Sequence, residues 1–388
     1  MLNYSRIKHK SHGSRNIQNE KRLWHDSKIN APSLGCTICP DKLLCGGINI
    51  DRPFYSCLDF CCGNIKKCDS ICRNKPHDFV MRVREIGGFD LNNVPRTKPL
   101  LLSAMPSVIP VIFHGNCRRG SFNTPSVCLP LYKVIPRHGG GIRFSNIKSL
   151  TSAFHISEET TIILTGTDKD APLERWWSMG EKRLQVIRGL KDLGVKLITS
   201  PNYSLFTDQP RWDDLHSMKR IAITHEEFLR VGIPAALHVN ARTERDWERW
   251  TKFIIMRSEI NQIAFEFRTG AGWAGRVNWQ IDQLINLARE VGRPLYLIVR
   301  AANDESLLRL VNAYANVMLI ETNTFMKTIY RQKASLRDED KIKWETYLTL
   351  PNTALDELLE HNWSIINHKY AAILGKISKQ YLKKEGCH

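Results

Sequence analysis

The sequence predicts an α/β protein: a (β/α) barrel-like domain, complete or irregular, behind an N-terminal cysteine-rich metal module. Three observations carry this. Eight of the eleven cysteines fall between residues 36 and 72. From about residue 108, short apolar runs alternate with amphipathic stretches of helical period. Lys and Arg total 56 against 39 Asp and Glu, a net charge of +17. The chain accordingly reads as a basic arm over 1–35, a cysteine module over 36–75, a connector over 76–107, the barrel-like domain over 108–330 and a basic helical tail over 331–388.

The arm carries Arg6, Lys8, Lys10, Arg15, Lys21, Arg22 and Lys28 against Glu20 and Asp26, with no sustained apolar period. Such a segment binds partners rather than building a core. Its start shows no apolar run of signal-peptide length and no small-residue cleavage site, so a cytoplasmic protein is expected. No stretch reaches the roughly 18 apolar residues of a spanning helix, so no membrane association is expected.

The module holds Cys36, Cys39, Cys45, Cys57, Cys61, Cys62, Cys68 and Cys72. Thiols this dense form disulfides, bind zinc or hold an iron–sulfur cluster. Disulfide frameworks belong mainly to small secreted chains, and 388 residues bury a core without staples. Structural zinc prefers two short pairs, yet only Cys36-x2-Cys39 has that form and no His lies among the cysteines. Iron–sulfur sites accept less regular spacing, and Pro40 after Cys39 suits one. The expectation is a 4Fe-4S iron–sulfur cluster, with zinc as the alternative; eight thiols would also fill two four-cysteine sites. The C-x3-C-x2-C signature of radical S-adenosylmethionine enzymes is not met, because Asn64 and Lys75 stand where its third cysteine is needed. Lys66, Lys67, Arg73, Lys75, Arg82 and Arg84 surround the module. With the arm, they point to nucleic acid, DNA or RNA, as a partner.

Seven apolar runs read as strands: 108–115, 161–166, 196–200, 234–239, 262–267, 294–299 and 317–321. Near-continuous Ile, Val and Leu suit parallel strands buried on both faces. The intervening segments carry helix signals. Asp170 can cap a helix that buries Trp176, Ile187 and Leu190 and stops near Gly194. Asp208 can cap the next, and Thr224-x-x-Glu227 reads as a capping box within the same connection. Thr243 starts a third with Trp247 and Trp250 inward, Gly292 ends a fourth, and Asn303 caps a fifth. A further helix is expected from Ala354 to Lys384. Repeated strand–helix units favour a barrel, with a doubly wound open sheet as the alternative.

In both architectures the site lies at the carboxyl ends of the strands. Those ends carry a polar rim. Asp168, Glu266 and Glu321 are the candidate catalytic carboxylates, as nucleophile or general acid and base. Asn202, Tyr203, His238, Arg268 and Arg300 are the candidate substrate-binding residues. The two arginines can hold a phosphate or carboxylate bidentately. The competing reading is structural, with Glu266 and Glu321 pairing Arg268 and Arg300 as an ionic layer. A one-residue slip would turn any of these outward. No Ser-His-Asp triad, H-E-x-x-H motif or phosphate-binding loop is present, and Gly139-Gly140-Gly141 reads as a turn.

The stretch Ser200-Pro201-Asn202-Tyr203-Ser204-Leu205 resembles the S-P-[DN]-[FY]-S-L motif of an uncharacterised family of bacterial and phage proteins. The resemblance runs over about 161–330, with Gln209-Pro210 departing from the pattern. It implies a barrel-like α/β domain and a phage or mobile-element setting, and supplies no activity. More distantly, the chain is similar to tRNA-guanine transglycosylase-like barrels. Their D-S-G-G-F signature is absent and their metal cysteines lie late in the chain, so this similarity bears on fold alone.

The expected function is therefore a nucleic-acid-binding metalloprotein whose barrel acts on a nucleotide or base, in antiviral defence or a mobile element. Two alternatives stay open: a non-catalytic scaffold with protein partners in a nucleoprotein assembly, and an enzyme on a small phosphorylated metabolite.

Overall fold

The computed structural model describes residues 82, 84–100, 102, 104–137, 140–205, 211–267, 276–337, 341–350 and 352–375. The arm, the eight clustered cysteines and Arg268 lie outside them. The chain divides into two compact units, one of residues 1–89, 205–216 and 242–245, the other of the rest. In the first, Arg82 pairs with Asp213 at 2.5 Å and Arg242 Nε donates to the Leu205 carbonyl at 2.8 Å.

The second unit is built on eight parallel strands: β1 (Val108–Pro110), β2 (Ser126–Pro130), β3 (Thr161–Thr165), β4 (Leu197–Thr199), β5 (Ala235–His238), β6 (Gln262–Glu266), β7 (Tyr296–Arg300) and β8 (Asn316–Glu321). Their order is β1-β8-β7-β6-β5-β4-β3-β2. A parallel bridge between Val111 and Cys128 brings the two ends of the sheet together. The result is a (β/α) barrel and not an open doubly wound sheet. Its interior is filled by Ile109, Val111, Cys128, Ile163, Leu197, Ala236, Ala264, Ile298, Met318 and Ile320. Every second residue of each strand points inward, as the pleat requires.

Sequence patterning anticipates seven of these strands. The eighth, β2, is the five-residue run Ser-Val-Cys-Leu-Pro, bounded by Pro125 and Pro130. It is short and flanked by turn formers, yet fully buried. The first strand is also shorter than 108–115, because the chain leaves the sheet after the bridge at Val111.

Helices connect the strands: α1 (Leu131–Val134) and α2 (Ile147–Phe154) before β3, α3 (Asp170–Ser178) and α4 (Lys182–Asp192) before β4, and α5 (Arg211–Val231) before β5. Then come α6 (Glu244–Ile255), α7 (Val277–Val291), α8 (Asp304–Leu310) and α9 (Asn323–Ile329). Asn303 caps α8 as anticipated, accepting from Ser306 N at 2.8 Å. Gly292 ends α7 at φ 64°, a conformation that favours glycine. Two capping expectations are corrected. Asp170 is the first residue of α3, and its carboxylate accepts from Ser204 Oγ at 2.7 Å instead of from α3's backbone. Thr224 lies in mid-α5, where no helix starts; its hydroxyl donates back to the Arg220 carbonyl at 2.8 Å.

The barrel is irregular at one place. No helix joins β1 to β2. A later helix, α10 (Asp356–Gly375), packs there instead. Asp356 accepts from the backbone N–H groups of Arg119 and Gly120 at 2.9 and 3.1 Å, and Trp363 meets the Phe122 ring edge-on. The segment from 331, expected to be helical, first forms an antiparallel ribbon of β9 (Gln332–Leu336) and β10 (Ile342–Thr346). Alternating polar and apolar residues, as in Ile342-Lys343-Trp344-Glu345-Thr346, carry the strand period that the basic composition obscured. No helix among the described residues is long and apolar enough to cross a membrane.

Candidate functional site

The inward alternation decides which strand-end residues meet. On β6, Gln262, Ala264 and Glu266 share the parity of the barrel interior; on β7, Tyr296, Ile298 and Arg300 do. Glu266 and Arg300 are direct cross-strand partners. Their side chains form an ion pair, with Nη1 3.0 Å from Oε2, and Glu266 keeps only 2 % of its side chain exposed against 21 % for Arg300. The Nε of Arg300 is buried and has no hydrogen-bond partner among the described residues.

His238 sits at the end of β5, with the inward parity of Ala236. Its Nδ1 lies 2.6 Å from the Ser200 carbonyl, which can only accept. The proton is therefore on Nδ1, leaving Nε2 as the acceptor for the Thr167 hydroxyl at 3.4 Å. Burial pushes the imidazole down to about 4, helped by the charge of Arg300. The ring is thus neutral near pH 7. The same Arg300 charge acts on Cys128 across the interior, against burial that pushes the thiol up to about 12. Cys128 is a packed, unreactive thiol.

Beside His238 lies a buried threonine layer. Thr199 Oγ1 donates toward Thr165 Oγ1 at 3.5 Å and accepts from Gly166 N at 3.0 Å. Gly166 itself is demanded by close approach: a Cβ there would lie 2.5 Å from the Thr199 carbonyl and 2.7 Å from Pro201 N. The Ser200-Pro201-Asn202 segment therefore lies flat against the end of β3. Asn202 N donates to the Gly166 carbonyl at 3.3 Å, and its Oδ1 is buried without a partner among the described residues. The sequence signal for this contact was the pairing of a strand-end glycine with a Ser-Pro turn on the neighbouring strand.

Other predicted residues go elsewhere. Glu321 has the outward parity of Val317 and Leu319, opposite to Met318 and Ile320. Its carboxylate accepts from the N–H groups of Asn323 and Thr324 at 2.7 and 2.9 Å, at the start of α9. That is a helix-terminus role, favoured by the helix dipole. Tyr203 is fully buried in the helix layer, with the Arg220 guanidinium 4.1 Å from its ring centroid and Trp177 edge-on at 6.2 Å. Half-buried Asp168 lies beyond β3 and accepts from the N–H of Lys169 at 2.7 Å. Glu266, Arg300 and His238 therefore share the interior side of the strand ends, while Glu321 and Tyr203 do not.

Among the described residues no group of three or more His, Cys, Asp or Glu is arranged to hold a metal ion. A cleft of about 650 Å³ is remote from these residues. It lies at the opposite, amino-terminal end of β3, lined by Phe144, Ile147, Glu159, Asp192 and Lys196. No protein-family model matches the chain, and no curated protein matches it at a significant level.

Proposed function

We propose that this is a nucleic-acid-binding metalloprotein whose barrel acts on a nucleotide or base at the carboxyl ends of β5–β7. The observation that carries the barrel's part is the buried Glu266–Arg300 pair beside a neutral His238. In this reading the partly exposed guanidinium of Arg300 holds an anionic group of the substrate. Glu266 accepts or returns a proton. His238 keeps a fixed tautomer, with Nε2 accepting from the Thr167 hydroxyl. Asn202 presents its unpartnered amide oxygen to a base edge.

The nucleic-acid part rests on the net charge of +17 and on the basic residues about the cysteine module. The metal part rests on the eight clustered thiols, which would hold an iron–sulfur cluster, or zinc in its place. Thiolate clusters of this kind fit the reducing cytoplasm. The Ser-Pro-Asn-Tyr-Ser-Leu resemblance supports a phage-defence or mobile-element setting.

A second reading has one observation in its favour. Glu266 is already paired and Glu321 is consumed as a cap, as expected of a scaffold whose ionic groups are structural. The two readings separate by ligand binding at the mouth. A panel of nucleosides, nucleotides and bases is screened by protein-observed NMR and thermal shift, with wild type and Arg300→Met side by side. Binding of a nucleotide or base that Arg300→Met weakens supports the proposal. Binding of none of them overturns it in favour of a scaffold, and selective binding of unrelated phosphorylated metabolites points to a small-molecule enzyme.

A further inference from the structure

We propose that two copies of the chain join edge to edge through β10, making a four-stranded antiparallel sheet about a two-fold axis at Trp344. The ribbon has two edges, and among the described residues only one is occupied. On β9, Ala334 N donates to Asn362 Oδ1 at 2.7 Å, while the Ala334 carbonyl accepts from His361 Nε2 at 2.9 Å. Asn362 Nδ2 also donates to the Gln332 carbonyl at 2.8 Å. Side chains of α10 thus stand in for a neighbouring strand along that edge.

The other edge follows from the register. Ala334 faces Trp344 across the ribbon. Because the N–H and C=O of Ala334 point away from β10, those of Trp344 point away from β9. Alternation sends the backbone groups of Ile342 and Thr346 the same way. Among the described residues no hydrogen bond takes up these groups. An open edge of this kind is a template for another strand.

The residues on that edge select a second copy as the occupant. Antiparallel pairing centred on Trp344 sets Trp344 against the partner's Trp344, and Ile342 against the partner's Thr346. It also sets Lys343 against the partner's Glu345. The register makes each facing pair of even-numbered residues a hydrogen-bonded pair, giving about six new backbone bonds. Lys343 and Glu345 lie on one face of the ribbon, with Lys333 opposite Glu345 and Ser335 opposite Lys343. In the joined sheet the row Lys333, Glu345, the partner's Lys343 and the partner's Ser335 alternates in sign. Opposite charges directly across a strand pair stabilise it, and like charges oppose it. In the single chain Lys343 and Glu345 pair with each other along the strand. The chain leaving β10 carries exposed apolar residues, Leu348 at 91 % and Leu350 at 79 %. The contact is isologous, so it closes at two copies.

The experiment is sedimentation velocity with light scattering on the full chain, from low to high micromolar concentration. Four proteins are compared: wild type, Trp344→Pro, Lys343→Glu and the charge exchange Lys343→Glu/Glu345→Lys. Circular dichroism and melting curves establish that each is folded. Wild type should dimerise. Trp344→Pro removes the central N–H and should be monomeric. Lys343→Glu sets like charges opposite each other twice and should weaken the dimer about tenfold or more. The charge exchange restores opposite charges between positions 343 and 345 of the two copies and should recover the dimer. The proposal is overturned by a wild type that stays monomeric throughout. It is equally overturned by folded Trp344→Pro and Lys343→Glu proteins that dimerise like wild type, or by a folded charge exchange that fails to recover the dimer.

Discussion

Glu266 and Arg300 occupy facing positions at the last inward-pointing level of β6 and β7, with 3.0 Å between Oε2 and Nη1. The carboxylate is almost fully enclosed and the guanidinium retains some contact with solvent. Breaking such a pair from one side leaves a buried charge behind. Arg300→Met should therefore lower stability by ~3 kcal/mol, read from urea denaturation. Glu266→Gln keeps the shape and removes the buried charge, so it should lower stability by only about 1 kcal/mol. The double variant should recover much of the Arg300→Met loss. If the pair is also the chemical centre, Glu266→Gln should remove turnover while leaving ligand affinity within a few-fold of wild type.

His238 makes stability depend on pH. Its folded-state pKa is pushed down to about 4, below the ordinary value of 6.5. His225, buried behind β5 and bonded to the Ala235 carbonyl, is also pushed down to about 4. Between these values the unfolded chain binds more protons than the folded one, so stability rises with pH there. The contribution is fully present above about pH 6.5 and drains away as pH falls toward 4. Each histidine adds a slope of up to about 1.4 kcal/mol per pH unit. Replacing His238 by Gln should flatten the stability curve between pH 6.5 and 4 by one histidine's share. An unchanged slope would mean that the ring is already protonated in the folded protein.

The barrel was legible because buried parallel strands advertise themselves as Ile, Val and Leu runs, as at 161–166 and 262–267. What period alone could not supply was the face of each strand end. Glu266 and Glu321 look equivalent in sequence, each the last acidic residue of an apolar run. One residue of phase separates them: Glu266 shares the parity of Ala264, whereas Glu321 is out of phase with Ile320. Tyr203 was misplaced for a related reason. After β4 the chain no longer alternates, and Gly166 steers the Ser-Pro turn so that Tyr203 enters the helix layer. The β9–β10 ribbon stayed hidden because its five-residue strands are more than half polar and have no apolar runs.

Gly166 offers a test of that local geometry. It sits on the barrel end at ordinary φ, so its role is space and not conformational freedom. A methyl group there would meet three backbone atoms of residues 199–201 within 2.7 Å. Backbone cannot swing aside as a side chain can. Gly166→Ala should cost ~3 kcal/mol or more, at the severe end of point substitutions. It should also disturb the neighbouring His238, because Ser200 O accepts the Nδ1 proton. The NMR signals of His238 should shift in the folded variant, whereas those of His225, on the far side of β5, should not.

The cysteine module makes the last prediction, and it is independent of the barrel. Protein purified without air should show broad visible absorbance with matching iron and sulfide, or else stoichiometric zinc. Replacing Cys39 or Cys68 should lower metal content. Because thiolate ligation is coupled to folding, it should also raise protease sensitivity within residues 36–75. The barrel's melting transition should move little if the second unit is stabilised by its own core of Ile109, Ile163, Leu197 and Ile298. The basic arm can be assessed in the same preparations. Loss of residues 1–35, with seven Lys and Arg, should weaken binding to DNA or RNA at low salt and flatten its salt dependence. Metal-free protein with freely alkylated thiols would reject the metal, and salt-insensitive binding would reject the electrostatic partner. A cluster retained after arm deletion, with the salt slope reduced, would show that arm and module make separable contributions.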